Sequence, residues 1–248
     1  MRTRGIALVI LMLFSFACEE ESFMPADSDL LTSSDPFSSQ MHNATIVQRV
    51  EVLPFMPAGE LGGPTNVLVP GTLFPPLENS FAILKRQHNG VRFKLHTTGL
   101  PEGAYTVWYV IFNDPSSCIG PGIGGGVCGE EDLFLPSAAV VWGTGNIVSH
   151  NGVGHFSDKI AVGETRSETV LLGADLSYPL ENPQGAEIHL IVKYHGPASN
   201  DKEVLWDQTH TLLGSCGPDE GANSFDAGPF GIQCFDPQLA ILASPGLI

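Results

Sequence analysis

A chain of 248 residues with 43% hydrophobic side chains can bury one substantial core. Its 28 glycines and 19 prolines, against 15% charged residues, favour many short strands joined by turns over long helices. The formal net charge of −16 comes from 27 acidic and 11 basic residues, with no clustering of Lys and Arg along the chain. That balance argues against nucleic acid and against attraction to anionic headgroups; a solvated acidic surface is the simple reading, calcium binding the sharper one.

Arg2 and Arg4 precede an apolar run over 6–14, and small Ala17 stands directly before Cys18. The run is short for a membrane span. This stretch resembles the lipobox of bacterial lipoproteins, with Ser15 and Phe16 where that pattern has an aliphatic and a small residue. The resemblance implies a signal peptide over 1–17 and an exported protein whose N-terminal Cys18 carries diacylglycerol and palmitate. Glu19 is not the aspartate that commonly retains lipoproteins at the inner membrane, which points to an outer-membrane anchor. Residues 18–43 are acidic, then Ser/Asp-rich, and read as a flexible tether to a single folded domain over 44–248.

Within 44–53, apolar and polar residues alternate as in a first strand, and a short strand is expected at 66–69 inside a Pro/Gly-rich stretch. Runs at 81–86 and 91–97 flank Asn89-Gly90, a strong hairpin signal. Val91, Phe93 and Leu95 should then face inward, with Arg92, Lys94 and His96 outward. Residues 105–112 carry no charge and read as a central strand buried on both faces, stopped by Asn113-Asp114-Pro115. Further strands are expected at 138–142, at 147–150 and 155–160 as a second hairpin, at 166–172, at 186–195 and at 239–242, with a loop over 178–184 and no convincing amphipathic helix. About nine or ten strands with long Gly/Pro loops indicate an all-β fold, an antiparallel sandwich of Ig-like or jelly-roll-like type.

Apart from Cys18, four cysteines remain, as suits an exported disulfide protein. Three connectivities are open; Cys118 with Cys128 and Cys216 with Cys234 each enclose a short turn-rich loop. Zinc is the rival reading, but paired CxxC knuckles are missing. Tyr105-Thr106-Val107-Trp108, Phe112-Asn113, Pro115, Cys118, Cys128-Gly129, the 186–190 segment, His195-Gly196-Pro197, Cys216, Cys234 and Gln238 resemble, in that order, a group of uncharacterised exported bacterial proteins. The resemblance implies an exported β-rich domain and carries no activity, cofactor or catalytic residue.

For chemistry, alternation places Glu187, His189, Ile191, Lys193 and His195 on one strand face. Two imidazoles and a carboxylate, helped by His150 or His155, form a copper or zinc candidate. Against it stand Lys193 between the histidines and a separation of His189 from His195 of about 20 Å along a strand. A polar face turned to solvent or to an interface is the plainer reading. Glu130-Glu131-Asp132 after Cys128 offers oxygen ligands for calcium, at a spacing that fits no defined calcium loop. There is no GxSxG elbow, no HExxH helix and no phosphate cradle in the 120–126 glycine run. Trp108 and Trp142 read as core, and Trp206 as the tryptophan available for ligand stacking. The sequence therefore points to an envelope lipoprotein that binds or supports, with an envelope protein or glycan as partner. The alternative is a metal-binding or hydrolytic enzyme using the His189/His195 strand.

Overall fold

Two antiparallel sheets follow from the alternation. In the first, β1 (Ile46–Glu51), β3 (Phe81–Gln87), β4 (Gly90–Thr97) and β7 (Gly154–Ala161) lie in the order β1-β3-β4-β7. The second runs β2-β11-β10-β5-β6, from β2 (Leu53–Pro54), β5 (Gly103–Phe112), β6 (Ala138–Val148), β10 (Glu187–Tyr194) and β11 (Phe235–Leu242). Two-residue strands β8 (Val170–Leu171) and β9 (Ala174–Asp175) pair with each other. This computed structural model describes residues 44–55, 75–120, 122, 124–166, 170–171, 174–214, 216 and 234–246. The expected strand at 66–69, the signal segment, Cys18 and the tether lie outside the described residues.

The sheets meet through their inner faces. Leu84, Phe93, Leu95 and Ile160 from the first pack against Tyr109, Ile111, Leu190 and Leu242 from the second. Phe93 and Tyr109 meet edge to face with centroids 5.2 Å apart. All ten residues of β5 are buried, as its uncharged run requires. The second sheet is covered on its outer face too, where Trp108, Val110, Phe112, Val140 and Leu176 form a separate cluster beneath loops and a helix. Disulfides Cys118–Cys128 and Cys216–Cys234 staple two of the covering segments.

Three expectations are corrected. The strands expected at 138–142 and 147–150 are one, β6, because Gly143 and Gly145 serve close approach rather than a turn: a Cβ on Gly145 would occupy the place of the Thr209 carbonyl. The second hairpin does not pair, since β6 adds to β5 while β7 adds to β4 in the other sheet. A helix, α1 (Lys202–His210), does form. Asp201 caps it, accepting from the N–H groups of Glu203 and Val204, and His210 sits in its last turn. It lies over β5 and β6, where Trp142 Nε1 donates to the Thr209 carbonyl at 3.2 Å.

Candidate functional site

β10 presents Glu187, His189, Lys193 and the following His195 on the outer face of its sheet, as alternation requires, but that face is not wet. Their exposures are 0, 4, 4 and 0%. Glu187 accepts from the N–H groups of Val127 (2.9 Å) and Cys128 (3.0 Å), and its Oε1 lies 2.8 Å from His189 Nε2. Burial alone would raise this carboxyl; His189 and the two N–H groups outweigh it and hold the group below the usual range. The chemistry is that of a clamp: one carboxylate pins the Cys118–Cys128 loop to the sheet. Gly126 makes this possible, because a Cβ there would collide with the Glu187 carboxylate. Further along, Lys193 lies 3.4 Å from Asp236 in a buried ion pair.

His195 closes the row. Trp108 Nε1 donates to Thr106 Oγ1 at 2.8 Å, and Thr106 Oγ1 lies 2.7 Å from His195 Nε2. The other ring nitrogen faces the Gly214 carbonyl and Cys216 Sγ, the latter 3.4 Å away. Gln208, buried on α1, donates to the His195 (2.8 Å) and Pro197 (3.0 Å) carbonyls and ties helix to strand. Burial and the Lys193 charge hold this imidazole well below its ordinary value, so it is neutral.

The expected five-residue metal set is not brought together. His150 is exposed in the turn after β6, and His155 stands on β7 of the other sheet. His195 clusters instead with Cys216 and Cys234, and Asp132 with Cys118 and Cys128; in both clusters the sulfurs are joined as disulfides. Of the acidic trio, Glu130 and Glu131 are exposed while Asp132 is buried. Asp132 accepts from Ile119, Gly120 and Gly129 N–H, which offset its burial and lower its pKa. Trp206 is 56% exposed on α1 and stacks on His210 at 4.8 Å, which in turn stacks on Trp142 at 5.2 Å.

Five cations come together in space, three of them from the β3–β4 hairpin. On the outer face of the first sheet, register aligns Lys85, Arg92 and Lys159 as direct cross-strand neighbours. The next line carries Arg49, Ile83 and Lys94, and the third Phe81, His96 and His155. All five cations are exposed, and they make up five of the eleven basic residues. Arg49 lies over the Phe81 ring at 3.7 Å, and His96 and His155 face each other with Nδ1 atoms 3.2 Å apart. The exposed positions could have been read from the alternation of each strand, but their convergence depends on the register. No protein-family model matches the chain, and no curated protein or solved structure was found to be similar to it.

The buried groups set the acid response. A histidine held neutral below its ordinary value of about 6.5 is bypassed by protonation of the unfolded chain, so stability falls as pH drops through that value. The slope is at most about 1.4 kcal/mol per pH unit for the one site. Glu187 and Asp132, lowered in the fold, contribute stability above the ordinary carboxylate range and lose it as pH falls towards their folded values. Asp236, raised by burial, works the other way. Melting from pH 8 to 3 should show loss beginning near 6.5, and His195→Gln should remove that first part relative to its own neutral-pH midpoint; an unchanged profile would contradict the buried neutral ring.

Proposed function

We propose that this is an exported binding domain, lipid-anchored through Cys18 at the outer membrane, whose ligand surface is the outer face of the four-stranded sheet. One observation carries the reading: Lys85, Arg92 and Lys159 stand side by side across three strands. Like charges directly opposite each other destabilise an antiparallel ladder, so this row costs stability in the free protein and is relieved by an anion. The lipobox resemblance supports the anchor, and the two disulfides support export.

Wild type should fractionate with membranes and Cys18→Ser with soluble protein; equal fractionation would remove the anchor from the reading. Soluble Cys18→Ser protein should be retained on isolated envelope material at low salt. Combining it with Lys85→Glu, Arg92→Glu and Lys159→Glu should weaken retention about tenfold or more, roughly 1.4 kcal/mol. Equal retention would show that this face is not the ligand surface.

A further inference from the structure

Resting on that reading of the face, we infer that its occupant is a linear acidic polysaccharide, seated across the strands along the Lys85–Arg92–Lys159 row. Adjacent strands lie about 4.8 Å apart, so the three side chains rise from one short line across the sheet. Arg49 and Lys94 form a second line two residues along the strands, with Ile83 between them. Two parallel lines of cations match a chain of repeated anions better than one isolated phosphate. The arginines supply bidentate forks for carboxylate or sulfate, the lysines point charges.

Among the described residues, the row is neutralised only in part, at its Lys159 end. Glu51 stands at the opposite corner of the face, across from Phe81. Glu164 lies near Lys159, but its oxygens are engaged by the Ala161 N–H at 2.9 Å and by Arg166 at 2.7 Å. Among the described residues, no ion pair involves Lys85, Arg92 or Lys159.

The shape of the charge selects a thread over a plane. A membrane surface would bring Glu51 and Glu164, at the margins of the face, within the Debye length of about 8 Å. A slender polymer meets the row and little else. The face offers no exposed aromatic among the described residues: Phe81 is half-buried under Arg49, and the exposed apolar side chain in line with Lys85 is the small Val47, at 62%. Ile83 and the Phe81 edge offer apolar ground for a sugar ring beside the charges.

The test is calorimetric titration of the Cys18→Ser protein with polygalacturonate oligomers, using neutral dextran as control. Binding to polygalacturonate and not dextran is expected, weakening with salt as about three counterions are released. Arg92→Gln separates binding from folding: removing the middle cation should weaken binding about tenfold while raising the melting temperature. A variant that binds like wild type overturns the seat, and so does one that melts lower. Phosphatidylglycerol vesicles, poly-glutamate and single-stranded DNA are titrated in parallel; any of them binding as tightly as the polysaccharide overturns the assignment. If envelope retention persists but polygalacturonate does not bind, the occupant is wrong and the face stands. If both fail, the face falls too.

Discussion

Arg86→Ala should destabilise the protein by about 3–5 kcal/mol, enough to lower its melting temperature sharply or stop it accumulating. Arg86 is fully buried on β3 and points between the sheets. Its Nε donates to Gln48 Oε1 at 2.6 Å. One terminal nitrogen donates to the Pro183 (3.1 Å) and Ala186 (2.8 Å) carbonyls, the other to those of Leu242 (3.0 Å) and Ala243 (3.4 Å). One planar guanidinium thus ties β1 and β3 to the start of β10 and the end of β11. Burial pulls its pKa down to about 10, against the opposing charge of Glu187, so the group remains charged at neutral pH. Truncation leaves a cavity and orphans several buried carbonyls, each worth about 1–3 kcal/mol. Arg86→Lys should recover only part of the loss, because an ammonium lacks the fork that reaches both strand ends. Thermal melts of the three proteins check this; an Arg86→Ala midpoint near wild type would show that the sheets are held otherwise.

Trp108→Ala should cost a comparable amount, about 3–5 kcal/mol, a large fraction of the roughly 5–15 kcal/mol stability of an ordinary domain. The ring is 3% exposed among Val110, Phe112 and Val140 on the outer face of the second sheet. Its Nε1 donates to the Thr106 hydroxyl that also meets His195, so the substitution opens a cavity and unsettles the seat of α1. Trp206→Ala removes a half-exposed ring stacked on His210 and should cost about 0.5–1.5 kcal/mol. Equal losses at the two positions would mean that the outer cluster is not a core.

Much of this framework is legible in local pattern. Period-two alternation placed β4 and β10, Asn89-Gly90 marked the first hairpin, and cysteine spacing favoured both disulfides. Alternation also put Glu187, His189 and His195 on one face. Whether that face is wet depends on loops from distant parts of the chain, such as Val127 and Cys128, which no strand pattern encodes. The helix was missed because nine residues with a weak apolar stripe carry little periodicity; its signal is the Asp201 cap. Of the cationic face, Lys85, Arg92 and Lys94 lie in the hairpin that Asn89-Gly90 marks, whereas Arg49 and Lys159 join them only through the register of the flanking strands.

The position of β11 has a consequence for the newly made chain. It lies between β2 and β10, so an inner place in the second sheet stays vacant until residues 235–242 have emerged. The β3–β4 hairpin, by contrast, is complete once residue 97 has emerged. Until β11 has emerged, β10 has an open edge of N–H and C=O groups with apolar Ile188, Leu190 and Val192 beside it. That interval is when the chain is most prone to pair with another copy of itself, and when a holding chaperone would matter most.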